Sequence, residues 1–169
     1  MPVPTRPTDG AEIATDWGQA IHDYTFAPTG VEASGAAVAM LAAAANRVLP
    51  LDTPDDDPGG WLDAANDRLE APDDAEGLYL CRVLVAAVDG GGSDEIVAEL
   101  LFNGANVMRM GPVESLGATT IPVQGTTFLR IVPGDLIQVR ARQVGSGARA
   151  DVDIRSIILV RQGAELGAP

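Results

Sequence analysis

The sequence of 169 residues predicts an all-β sandwich or barrel preceded by an N-terminal extended arm and a short α-helix. Three observations carry that prediction. From about residue 34 onward, apolar residues recur at a period of two, the mark of half-buried strands. The segments so marked are short and evenly spaced, punctuated by Gly and Asn turns with no helical pattern between them. The first 33 residues lack this alternation, so residues 1–33 are read as an arm and anchoring helix and residues 34–169 as the β domain.

Taken in order, "MPVPTRPTDG" is Pro-rich and without periodicity, and reads as an arm. "TDGAEIATDWGQAIHDYTFAP" then places Ile13, Trp17, Ala20, Ile21 and Tyr24 on one helical face, with Thr8 or Asp9 as cap and Pro28 closing the helix. A short helix is not stable alone, so Ile13, Trp17, Ile21 and Tyr24 are expected to dock on a partner. "SGAAVAMLAAAANRVLPLD" admits one or two short strands, while its Ala content equally admits a helix over 36–50. "DTPDDDPGG" is a loop, and "WLDAANDRLEAP" is a strand weakened by Asn and Asp. "EGLYLCRVLVAAVDGGG" and "DEIVAELLFNGANV" are strands, the second ending in an Asn103-Gly104 hairpin signal. "ATTIPVQGTTFLRIV" gives one or two strands broken by Pro122 and Gly125. "GDLIQVRARQVGSGARADVDIRSIILV" reads as a final hairpin around Gly-Ser-Gly.

Composition excludes several functions. The formal net charge is −13 with a pI near 4.2, and all eleven cations are Arg. Phosphate neutralisation needs a basic face, so nucleic acid is not an expected partner. No apolar run reaches the roughly 20 residues of a membrane helix, and the first residues carry no basic and apolar leader; neither membrane insertion nor secretion is expected.

Candidate chemical sites are few. His22 is the only histidine and Cys81 the only cysteine; Cys81 lies in an apolar strand pattern and reads as a buried thiol. No nucleophile elbow or phosphate loop occurs, so neither catalysis nor a cofactor is expected. Zinc is excluded by one Cys and one His. Oxygen ligands for calcium exist at Asp52, Asp55, Asp56 and Asp57, with a weaker set in "DDAEG" at 73–77. Their spacing does not follow the EF-hand loop, and a solvated acidic loop is the favoured reading. In the final hairpin, Arg142 is expected opposite Asp151 and Arg140 opposite Asp153, pairs that fix register rather than bind an anion. The last strand alternates Val152, Ile154, Ile158 and Val160 onto a core face, while Ile157 and Leu159 make the other face apolar too. A strand apolar on both sides is covered on both sides, and another subunit is the expected cover of Ile157 and Leu159.

The order "WLDAANDRLEAPDDAEGLYLCRVLV", "AELLFNGA", "IVPGDLIQVRARQVGSGARADVDIRSIILVRQG" resembles the jelly roll of the tumour necrosis factor and complement globular-head superfamily. The motifs are Pro72 followed by the Gly-x-Tyr of Gly77 and Tyr79, and the Gly134-Asp135 turn before the last strands; they span roughly residues 36 to 163. The resemblance implies a jelly-roll β-sandwich assembled as a homotrimer. The N-terminal "PTRPTDGAEIATDWGQAIHD", through Trp17, Gly18, Ile21 and Asp23, is similar to the start of small structural proteins of tailed bacteriophages. That implies a virion component, built in the host cytoplasm, whose N-terminal segment binds other virion proteins. A minor tail or tail-tip position is expected, with host surface glycans as ligands of loops 52–60 or 89–94. The alternatives are a capsid decoration protein on the major capsid protein, or a free trimeric glycan- or ligand-binding module.

Overall fold

The alternation read along the chain is used by two facing antiparallel sheets. The computed structural model describes residues 30–40, 45–88, 95–114, 120–144 and 151–162; the expected arm, the expected helix with Ile13, Trp17, Ile21, His22 and Tyr24, and the expected 89–94 loop lie outside them. Among the described residues the strands are β1 Gly30–Ser34, β2 Val38–Ala39, β3 Arg47–Val48, β4 Thr53–Asp56, β5 Leu62–Asp63, β6 Arg68–Glu70, β7 Gly77–Val88, β8 Glu95–Phe102, β9 Ala105–Glu114, β10 Thr120–Ile131, β11 Leu136–Val144 and β12 Asp151–Arg161. The first sheet runs β10-β7-β12-β1-β4, with β2 pairing on β12. The second runs β5-β6-β11-β8-β9, with β3 pairing on β11. This is the predicted all-β jelly-roll sandwich. In the stretch 36–50, left open between strand and helix, the described residues hold only the short strands β2 and β3.

The core lies between the sheets. Tyr79, Cys81, Val83 and Val85 of β7 face Ile96, Ala98 and Leu100 of β8 and Ile137, Val139 and Ala141 of β11, all buried. Each fully buried Val, Ile or Leu contributes roughly 1.5–3 kcal/mol, so a core this poor in aromatics is held by many aliphatic contacts. Trp61 meets Tyr79 edge-on, with ring centroids 5.4 Å apart. The strand weakened by Asn and Asp is in fact β5 and β6 joined by the 3-10 turn Ala64–Asn66, with Asp67 left-handed at φ 53°. Pro122 and Gly125 do not break β10, which is one continuous strand of 12 residues. Pro122 is tolerated because β10 is an edge strand whose outer side needs no ladder donor. A Cβ at Gly125 would lie 2.7 Å from both Met108 Sδ and Met110 Cγ, so a side chain there requires both methionines to shift.

The final hairpin is corrected. β11 and β12 belong to opposite sheets, so Arg142 does not face Asp151 and Arg140 does not face Asp153. Arg140 is instead opposite Glu99 on β8, its Nε 2.6 Å from Glu99 Oε2. Asp153 is opposite Ala86, and its Oδ1 lies 3.1 Å from Arg155 Nε without the alignment of a hydrogen bond. Arg142 is opposite Val97.

The two-faced reading of β12 is corrected as well. Pairing with β7 slips between Ile154 and Ser156, so Arg155 is an extra residue in the strand. One extra residue reverses the parity of everything after it. Val152, Ile154, Ile157 and Leu159 are therefore all in the core, the last two essentially without exposure. Ile157 and Leu159 are not an interface; Ile158 and Val160 take the outward positions.

Candidate functional site

The outward face of the β10-β7-β12-β1-β4 sheet is built row by row from its register. Phe128, Leu80, Val160 and Gly30 form one row across β10, β7, β12 and β1. The next holds Thr126, Arg82, Ile158, Glu32 and, on β4, Asp56. On the other side of the apolar row, Arg130 is opposite Leu78. Phe128 is 60% exposed, Leu78 40% and Val160 39%, and Val132, just past β10, 45%. Leu80, Leu84 and Ile158 are half-buried on the same face. Single exposed apolar residues are ordinary, whereas a contiguous apolar patch marks an interaction site.

Why the sequence makes this face is plain in "GLYLCRVLV". Tyr79, Cys81, Val83 and Val85 fill the core at one parity, while Leu78, Leu80 and Leu84 occupy the other, interrupted by Arg82. A half-solvated strand would carry mostly polar groups there. That near-continuous apolar run is the sequence signal for the face; the expected cover was instead placed on Ile157 and Leu159 of β12, which lie in the core.

The Pro72, Gly77-x-Tyr79 and Gly134-Asp135 motifs support one end of the sandwich. Gly77 opens β7 where a Cβ would lie 2.9 Å from Arg161 Nε; Arg161 Nη2 donates to the carbonyl of Glu76. Ala71 N donates to Asp135 O at 2.9 Å, and Gly134 N to Ala71 O at 2.8 Å. The segment before Pro72 is thereby tied to the Gly134-Asp135 turn, with Gly134 at φ 81°.

The acidic stretch expected to be a loop is in part the strand β4, Thr53–Asp56, and its carboxylates do not converge. Asp57 Oδ1 accepts from Trp61 N at 2.7 Å and Oδ2 from Leu62 N at 2.9 Å, closing the turn before β5. Asp52 Oδ1 accepts from Thr53 Oγ1, while Asp55 and Asp56 lie exposed on β4. Among the described residues no three Asp, Glu, His or Cys side chains are grouped to hold a metal ion. Cys81 is fully buried, and that burial pushes its thiol up to about 12, so it stays protonated at neutral pH and is a poor nucleophile.

No protein-family model matches the chain, and no curated protein sequence matches it. Its fold is similar to the globular domain of the zebrafish complement 1qA protein, with a TM-score of 0.53, 11% identity, and coverage of 80% of this chain and 99% of that one. It is similar also to murine APRIL, with a TM-score of 0.52, 16% identity, and coverage of 79% and 100%. At these identities the likeness is one of fold.

Proposed function

We propose that this chain is a non-enzymatic structural protein that assembles with itself through the outward face of β10, β7, β12 and β1. The observation that carries the reading is the apolar row Phe128, Leu80 and Val160, flanked by Leu78 and Ile158. Covering such a face releases water from apolar surface at about 25 cal/mol per Å², and a second copy is the economical cover. The resembling superfamily packs its jelly rolls as trimers around such a face, which makes a homotrimer the expected assembly.

The N-terminal segment gives this trimer its place. Its similarity to tailed-phage structural proteins, through Trp17, Gly18, Ile21 and Asp23, supports a virion protein anchored by that segment, assembled in the host cytoplasm. A minor tail or tail-tip position is favoured over decoration of the capsid. A free trimer that binds glycans through its loops is the alternative of another class.

Light scattering on the purified chain at low micromolar concentration tests the assembly. A trimer that becomes a folded monomer on Leu80→Asp or Phe128→Asp is expected; a monomeric unsubstituted chain overturns the reading. Trp17→Ala is expected to leave a folded trimer that no longer enters particles, and its normal incorporation refutes the anchor.

A further inference from the structure

The same face is graded in charge. On its β10 and β7 side it carries Arg130 and Arg82, and on its β1 and β4 side Glu32 and Asp56. Glu32 and Asp56 are directly opposite one another across an antiparallel pair. Like charges in that position destabilise a sheet, and no cation among the described residues offsets them. Glu32 accepts only from Ser156 Oγ, at 3.3 Å, and Asp56 makes no ion pair among the described residues. Arg82, exposed in the same row, makes none either. Within one chain, Ile158 stands between Arg82 and Glu32, two strand spacings or about 10 Å. Basic and acidic halves thus flank an apolar centre, and Arg82, Glu32 and Asp56 make no ion pair among the described residues.

We propose that the subunits meet head to tail, with Arg82 of one copy set against the Glu32 and Asp56 carboxylates of the next. This rests on the self-assembly reading above. A rotation that closes a ring brings one side of a face against the other side of its neighbour's. Here that contact joins opposite charges at the margin of the apolar patch, while either side set against itself repels. In a chain of net charge −13 general repulsion opposes association, and the Arg82 contact supplies attraction where the copies touch. Charge matching of this kind selects the partner's orientation as well as its identity.

Light scattering on the full chain at several concentrations tests it, with Arg82→Glu, with Glu32→Arg and Asp56→Arg together, and with all three substitutions in one chain. The first two variants are expected to associate at least about tenfold more weakly while keeping the thermal midpoint of a folded monomer, and the triple variant to recover the trimer. Mixing the first two variants reads the symmetry. A twofold dimer of one of each has both contacts matched and re-forms fully, whereas a three-membered ring keeps a mismatched contact and stays weak. A trimer unaffected by Arg82→Glu overturns the proposal and leaves self-assembly standing; an unsubstituted chain that is monomeric overturns self-assembly itself. An acidic β4 that only guards a sheet edge against strand addition gives Glu32→Gln with Asp56→Asn a trimer of unchanged strength or larger aggregates, and either result also overturns the proposal.

Discussion

Asn103 and Asp135 lock two turns together side chain to side chain. Asn103 Nδ2 donates to Asp135 Oδ1 at 2.7 Å, and Asn103 Oδ1 accepts from Leu136 N at 2.8 Å. Asp135 Oδ2 accepts from Val132 N at 2.8 Å, so each side chain also holds backbone of the β10–β11 turn. Asn103 does this from a left-handed φ of 49°, followed by Gly104 at 79°, the pair of positive angles that a two-residue hairpin turn requires.

Asn103→Gly removes the bridge together with the Cβ that Asn103 carries at positive φ, and a net loss of about 1 kcal/mol is expected. Asn103→Ala keeps that Cβ but loses both the bridge and the amide that makes the angle tolerable, and is expected to cost more. Urea unfolding of the two variants measures both. Equal stability of Asn103→Gly and the unsubstituted chain means the bridge contributes no more than the strain of that Cβ.

Much of this end of the molecule was legible in the sequence, because Asn-Gly and Gly-Asp satisfy local backbone demands that few other residues meet. Most strands were legible for the same reason, because alternation is local; β1 lies largely in the stretch 1–33 read as arm and helix, and β4 in the stretch read as a loop. Sheet membership is not local. β11 and β12 follow one another across the Gly-containing stretch 145–150 and would look the same whether they paired or faced each other across the core. The bulge at Arg155 is equally silent, because one residue reverses parity without changing composition; for that reason Ile157 and Leu159 were assigned outward and Ile158 and Val160 inward. The apolar face was legible in "GLYLCRVLV" as a second apolar parity, but its charge grading depends on which strands are neighbours.

The corrected partner of Arg140 can be measured directly. Arg140 and Glu99 are partly screened from solvent, with side-chain exposures of 30% and 12%. A double-mutant cycle to Ala at these two positions is expected to give a coupling of about 0.5–1 kcal/mol. The same cycle between Arg140 and Asp153 is expected to give about zero, because their strands lie in different sheets. A coupling for Arg140 and Asp153 as large as that for Glu99 would restore the hairpin.

The acidic loop is held by backbone donors, and this separates it from a calcium site. Asp57→Ala strands the N–H groups of Trp61 and Leu62 and is expected to cost about 1–3 kcal/mol; Asp57→Asn keeps one acceptor and is expected to cost less. A chelator is expected to change neither the thermal midpoint nor the mass in solution. A trimer that dissociates on chelation would make the loop a metal site after all.

Alkaline pH should weaken the fold through Cys81. Burial raises its thiol from an ordinary 9.0 to about 12. Between those values the unfolded chain has lost the proton and the folded chain retains it, so stability falls as pH rises. The contribution is intact below about pH 9, and its slope approaches roughly 1.4 kcal/mol per pH unit above. Tyr79 shifts upward too, chiefly by burial, and adds to the fall above pH 10. This window is unusually free of other groups, because the chain has no lysine and only two tyrosines. Urea unfolding at steps from pH 8 to pH 11 should show the decline, and Cys81→Ala, less stable at neutral pH, should show a shallower one. Identical slopes for the two proteins would mean that the thiol is not held protonated by the core.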